Sequence, residues 1–402
     1  MINLSKIINI NIFILFTIYI FIRPVVKYFE YAYSGIRINI TALATLFLMI
    51  VLSLLLLKML KKFKIALSFK NLFPFFLIIL VISIQIVNIP FLIKEIDFIL
   101  MLKYLSMTFI GYISFYLIGT RLDYILSKRK LLFLMWIIMT GVFFEGFLKS
   151  ETFFIYLNGA MIYLMLADSY AILSIILLVL IKNKFLKYIF FFITSFILFT
   201  LVSRTSFFLF IFVSLVYFFI LNWKTGILIV TILIGSIIYN WNTIVNDLGA
   251  KNRMIRIITT GEDSSYHHRK QILEDNRKNL TIERIILGQY MSDVVDFGHS
   301  GHYVHSYESF LYSFGILPYI TLYAILLFIF NKIFFNLKIV LSNELLSVIF
   351  LLGLFLTIEI TFSRAYVSPY IWMIVGALPL FIKEFKLVKR NRYVSKCIDA
   401  SI

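Results

Sequence analysis

The sequence predicts an all-α, polytopic membrane protein of about twelve transmembrane helices with one large extracytoplasmic loop late in the chain. Three observations predict it. Of 402 residues, 61% are hydrophobic and only 14% are charged, which leaves too few polar side chains to cover a water-soluble surface. Apolar runs close to the roughly 20 residues that cross a bilayer recur down the whole chain. The runs are rich in Phe and Ile and do not alternate polar with apolar, which excludes an outer-membrane barrel.

The expected spans are residues 4–22, 38–57, 72–92, 104–120, 131–148, 160–181, 185–202, 205–221, 225–241, 306–330, 344–362 and 365–382. Lys6 is a weak basic start, and no small-residue cleavage site follows before Arg23-Pro24, so the first span is expected to stay as a signal anchor. The single cysteine, Cys397, can form no intrachain disulfide. The formal charge of +18 could suggest nucleic acid, but no soluble basic domain exists to carry such a partner. The basic residues fall instead in alternate connections: Lys58, Lys61, Lys62 and Lys64; Lys128-Arg129-Lys130; Lys182, Lys184 and Lys187; and the tail KEFKLVKRNRYVSK. The positive-inside rule assigns these to the cytoplasm, together with both termini and the basic tail, residues 383–402.

Residues 1–241 thus carry nine spans, residues 306–382 three more, and residues 242–305 form the one long polar stretch, outside the cytoplasmic membrane. Its Lys and Arg balance its Asp and Glu, so no cationic excess holds it inside. Ser264 and Ser265 can cap a short amphipathic helix from about Tyr266 to Asn279, lying on the membrane face, and Gly288 ends the following TIERIILG stretch.

All five histidines, His267, His268, His299, His302 and His305, fall in or beside this loop. His299, His302 and His305 diverge too far around a helix to hold one zinc, so no metal and no other cofactor is expected. His267, His268 and His299 read as solvated loop residues. His305 stands where polar loop meets apolar helix, where an imidazole of ordinary pKa about 6.5 can hold or pass a proton. Glu308, one turn deeper, either orients that ring or takes the proton itself; the alternative is that both merely anchor a helix end.

Three arginines are expected at outward ends: Arg204 in VSRTS, Arg364 in FSRAY and Arg269 in the loop. Each could be a snorkelling anchor. The two Ser-Arg turns lie between apolar runs, and guanidinium groups on an outward surface suit a phosphate or pyrophosphate, which they grip bidentately. Lys103, Glu145, Asp168 and Glu359 fall in or near spans. Of these Glu359, in the outward half and near Arg364, is the candidate substrate residue, with pairing inside the bundle as its alternative.

These features resemble the O-antigen and polysaccharide polymerases of Wzy type and the related O-antigen ligases. The resemblance rests on the Ser203-Arg204 turn, on Arg269 preceding Ile286-Leu287-Gly288, on His305-Ser306 followed by Phe310-Leu311 and Gly315-Ile316, and on the full-length plan of spans with one late loop. Gly288 is followed by Gln289-Tyr290 rather than by a second glycine, and Ser306 stands where Asn is commoner. The resemblance implies a glycosyltransferase-C-like fold in the bacterial inner membrane and metal-independent polymerisation of undecaprenyl-pyrophosphate-linked repeat units. His305, Glu308 and Arg269 would be catalytic, and Arg204, Arg364, His302 and Glu359 would bind pyrophosphate or substrate. Lipid-linked glycans, membrane lipid and a chain-length regulator protein would be the partners. An O-antigen ligase using the same donor is the alternative enzyme. A flippase is the alternative transporter, although no internal repeat or matched broken segments accompany it.

Overall fold

The computed structural model describes residues 4–32, 40–61, 69–149, 162–201, 203–239, 264–297, 307–364 and 368–399. Every regular element among them is a helix. In chain order these are α1 (Leu4–Thr17), a π-helical turn (Ile18–Ile22), α2 (Arg23–Ala32), α3 (Ile40–Lys61), α4 (Phe69–Glu95), α5 (Phe98–Gly119), α6 (Leu122–Leu126), α7 (Arg129–Leu148), α8 (Ile162–Leu180), α9 (Lys184–Thr200), α10 (Arg204–Leu221) and α11 (Trp223–Tyr239). After residue 263 come α12 (Ser264–Lys278), α13 (Ile282–Leu287), α14 (Ser292–Phe297), α15 (Tyr307–Phe314), α16 (Ile316–Phe334), α17 (Leu337–Leu341), α18 (Glu344–Phe362) and α19 (Ile371–Asp399).

Eight helices among the described residues are long and apolar enough to cross a membrane: Leu4–Glu30, Phe76–Glu95, Phe98–Gly119, Arg129–Leu148, Tyr163–Leu180, Arg204–Leu221, Ile316–Phe334 and Glu344–Phe362. The protein is therefore built as a multi-pass membrane protein. The expected number was twelve, and the remaining four segments are helical without being among these eight. Both α9 and α11 are 17 residues long, α3 is 22 residues long with side chains described only over Leu43–Leu54, and α19 turns basic from Lys383. Boundaries differ from expectation as well. Arg23-Pro24 does not end the first helix, because proline is tolerated where the π-turn hands over to α2. Helix α5 starts at Phe98, ahead of Lys103, because the Asp97 carboxylate accepts from Leu100 N at 3.0 Å and caps it. The tenth segment is not one helix: Gly315, at φ 76° and ψ 178°, separates α15 from α16.

The chain divides into two compact units, residues 1–16, 41–125 and 267–402 in the first, and residues 17–40 and 126–266 in the second. In the second unit α8 is the central helix, packed by α2, α7, α9 and α10, with Ala167, Tyr170, Ala171, Ile172 and Leu173 fully buried. Trp136 lies against Phe190 at 4.4 Å, and the Tyr170 hydroxyl meets Thr140 Oγ1 at 2.7 Å. In lipid the apolar surface of such a helix gains little from leaving acyl chains, so packing and hydrogen bonds hold it. In the first unit α5 crosses α19 so closely that Gly119 lies directly over the Met373 backbone. Trp372, fully buried, packs on Tyr112 with ring centres 4.9 Å apart.

Candidate functional site

The described part of the predicted polar loop is not extended. It folds as α12 to α14 and docks within the first unit against α15, α16 and α5. Ile272 of α12 and Tyr312 of α15 form a small buried apolar cluster edged by Leu273, Leu280 and Leu311. That cluster explains why Ile272 and Leu273 interrupt so charged a helix.

Helix α13 is capped at its start by Thr281, whose hydroxyl accepts from Arg284 N at 3.2 Å, and ended by Gly288 at φ 74° and ψ 156°. Gly288 and Gly315 press backbone against backbone. A Cβ on Gly288 would come within 2.5 Å of Gly315 N and Phe314 C, and a Cβ on Gly315 would overlap Ile286 O. Both glycines sit in a region of positive φ and extended ψ that side chains essentially forbid. Gln289 N then donates to Tyr312 O at 2.8 Å. Tyr290, fully buried, stacks on Phe314, and its hydroxyl meets Thr108 Oγ1 of α5 at 2.7 Å. Thr108 accepts in turn from Gln85 Nε2 of α4 at 3.2 Å. Buried Met291 follows at φ 59°, a left-handed conformation that a bulky side chain takes at a cost. The Gly288–Met291 segment is thus clamped to α4, α5 and α15.

Two ion pairs stand on this scaffold. Arg277 at the end of α12 grips Glu308 bidentately, with Nε to Oε2 at 3.2 Å and Nη2 to Oε1 at 2.5 Å. The Tyr312 hydroxyl, one turn along α15, donates to Glu308 Oε2. The Glu308 side chain is 9% exposed and that of Arg277 is 54% exposed, so a buried carboxylate wears a half-exposed cation. Burial by itself would push the Glu308 carboxyl up; the hydrogen bonds and charge of Arg277, with the Tyr312 hydroxyl, outweigh burial and hold it below the ordinary carboxylate value. In the second pair Arg284 is buried and Asp296 partly buried: Arg284 Nη1 donates to Asp296 Oδ2 at 2.8 Å and to Asn279 O at 3.3 Å. Nε and Nη2 of Arg284 are buried with no protein partner. Those two nitrogens are the fork that binds carboxylates and phosphates side-on.

The sequence-predicted residues are placed as follows. Glu308 is in the first turn of α15, where it meets Arg277 and Tyr312. Arg269 lies on α12, about two turns before Arg277, with its side chain outside the described part. His302 and His305 lie outside the described residues, as do the side chains of His267, His268 and Lys103. Among the described residues no group of three or more His, Cys, Asp or Glu is gathered as a metal site. Glu359, 1% exposed near the end of α18, faces Arg364, with Oε1 and Nε 3.4 Å apart; Arg364 Nη1 also donates to Ser363 Oγ at 3.0 Å. These two predicted substrate residues pair with each other. Glu145 pairs with Lys149 in the last turn of α7, an exposed contact.

Arg204 belongs to the second unit, as the first residue of α10. Beside it in sequence, buried Ser203 and Ser206 share a hydrogen bond at 2.7 Å, and Ser206 donates to Asp168, 3% exposed in α8. Asp168 therefore serves α10 through Ser206, which sequence alone left open because the α8 boundary was undecided.

Sequence reasoning passed over Arg277, Arg284, Asp296, Tyr290 and Tyr312. Tyr312 carried a usable signal, four residues beyond Glu308 on one helix face. The Arg277–Glu308 and Arg284–Asp296 partners are 31 and 12 residues apart across loop turns, with no periodicity to link them. Comparison with protein families, with curated proteins and with solved structures finds no match to this chain.

Proposed function

We propose that the protein polymerises polyprenyl-pyrophosphate-linked oligosaccharide units at the outer face of the bacterial cytoplasmic membrane, with the α12–α15 segment outside and both termini inside. The supporting observation is Arg277: a half-exposed guanidinium fixed bidentately on buried Glu308, immediately before the span Ile316–Phe334. A lipid-linked pyrophosphate stands at that depth, where apolar tail gives way to charged head. Arg269, on the same helix, would add a second guanidinium.

In the proposed reaction the acceptor hydroxyl oxygen bonds to the donor's anomeric carbon while the carbon–oxygen bond to pyrophosphate breaks. The bonding pair leaves with the pyrophosphate, where preorganised arginines stabilise the growing charge by several kcal/mol. The hydroxyl proton passes to a base. His305 is the first choice, because Glu308 is already committed to Arg277 and Tyr312, and a carboxylate held below its usual pKa is a weak proton acceptor. Glu308 then positions Arg277 rather than touching substrate. Glu359 and Arg364 would support the same end of the first unit.

The test is the glycan of a strain carrying Arg269→Ala or His305→Ala. Single repeat units should accumulate while the protein stays inserted. Normal chain-length ladders from both variants would overturn the proposal; polymer stranded on its carrier lipid would point to a ligase, and inward-trapped units to a flippase.

A further inference from the structure

Helix α13 is turned the wrong way for a water-borne loop. Ile282 is 76% exposed, Ile286 54% and Leu287 67%, whereas Arg284 between them is 5% exposed. A short helix bathed in water buries its isoleucines and shows its arginine. Here tertiary bonds fix the inversion: Arg284 is held by Asp296 and Asn279, and the Thr281 cap sets the helix start.

The depth of this apolar edge is also fixed. Gly288, the residue ending α13, lies against Gly315, and the next residue opens the span Ile316–Phe334. Helix α13 packs directly on that span. Leu317 and Ile320 near the start of the span are themselves 54% and 55% exposed, as lipid-facing residues are. Three side chains are far less than the roughly 800 Å² per partner of a stable protein interface. They are enough to extend a surface that already meets lipid.

We infer that α13 is seated in the bilayer, its Ile282, Ile286 and Leu287 edge lying among acyl chains just beneath the headgroups. The occupant of this face is lipid. The segment between the membrane helices is thereby pinned at the interface as a monotopic wedge, with Arg284 turned into the protein onto Asp296 and the exposed carboxylate of Glu283 left to the headgroup layer. This inference needs only the membrane span and the α13 contacts, and it stands or falls independently of glycosyl transfer.

The experiment uses the full chain in phosphatidylcholine–phosphatidylglycerol vesicles, in a Cys397→Ser background, with a fluorophore on Ile282→Cys, Ile286→Cys or Leu287→Cys. Leu317→Cys is the lipid reference and Lys278→Cys, whose side chain is 75% exposed in the charged helix, the aqueous reference. Doxyl-labelled lipid should quench positions 286 and 287 to the extent seen at 317, and iodide should leave them bright. Iodide quenching equal to that at 278 overturns the inference, and so does protection from both quenchers, which would mean a protein partner or second copy. Should the cysteine variants fail to insert, the unsubstituted protein is labelled with diazirine-bearing phospholipid. Label recovered in the peptide spanning residues 282–287 supports the seat, and label confined to the spans refutes it.

Discussion

The contact between Gly288 and Gly315 is the point at which one added carbon should do most damage. Gly315→Ala places a methyl at φ 76° and ψ 178°, a conformation that costs a side-chain-bearing residue about 1–3 kcal/mol. The same methyl overlaps Ile286 O and stands 2.9 Å from Gly288 N. These are backbone atoms of a capped helix that cannot rotate away, and such overpacking costs about 1–3 kcal/mol more. The sum, about 2–6 kcal/mol, is a large share of the roughly 5–15 kcal/mol that holds a folded protein together. At 1.4 kcal/mol per tenfold, even the lower figure multiplies local opening roughly 30-fold. Amide hydrogen exchange of the purified protein reads this directly, as faster exchange in α13 and α15 with α8 unchanged. Gly141→Ala is the control, since Gly141 lies inside α7 with nothing within 4 Å of a new Cβ; it should leave exchange unaltered or slightly slower. Exchange in α13 and α15 of Gly315→Ala equal to that of the parent would refute the argument.

The Arg277–Glu308 pair should show coupling in a double-mutant cycle of Arg277→Met and Glu308→Gln, read as exchange protection of α12. Because Arg277 is half exposed the coupling is discounted for solvent screening, to about 1 kcal/mol, and additive effects would dismiss the pair as a stabilising contact. The pH dependence follows from the lowered carboxyl of Glu308. Its contribution is full above the ordinary carboxylate pKa and is lost as pH falls through the lowered value. Arg277→Met removes the pair and leaves burial to raise the carboxyl, so the acid-side loss of α12 protection should disappear, with protection weakening instead as pH rises; a variant that keeps the parent's acid-side loss counts against the assignment. Inside the protein, Asp296→Leu leaves the Arg284 guanidinium buried without its counter-charge and should cost about 3–5 kcal/mol, whereas Arg284→Met with Asp296→Leu together should recover most of the loss. A double variant as unstable as the single would mean that packing, not charge, is what Asp296 supplies.

Much of this architecture was legible in the chain itself. A bilayer-length apolar run must be helical, because only a helix satisfies its own backbone in lipid, so spans such as residues 131–148 and 344–362 were found within a residue or two of α7 and α18. The α12 helix, expected to about Asn279 and ending at Lys278, and the Thr281–Gly288 stretch were also visible, since caps and glycines act within a turn or two. Other boundaries were misread where a local signal met a stronger one. Lys103 suggested a break that the Asp97 cap overrides, and the run from residue 306 to 330 hid the Gly315 kink because hydropathy carries no backbone angle.

What only tertiary structure decided is which distant groups meet. Glu308 was read beside His305, which lies outside the described residues, and folding gives it Arg277 from another helix and Tyr312 from its own. Two separate motifs, Ile286-Leu287-Gly288 and Phe314-Gly315, become one backbone contact. The arginine of α13 turns inward and two of its three isoleucines, Ile282 and Ile286, turn outward, against its own composition. Helix formation and bilayer crossing depend on interactions within a few residues or between a side chain and solvent, so they are written in the local sequence. Charge pairing and the sidedness of a short helix depend on which partners the rest of the fold brings within hydrogen-bonding reach, about 3.5 Å at most.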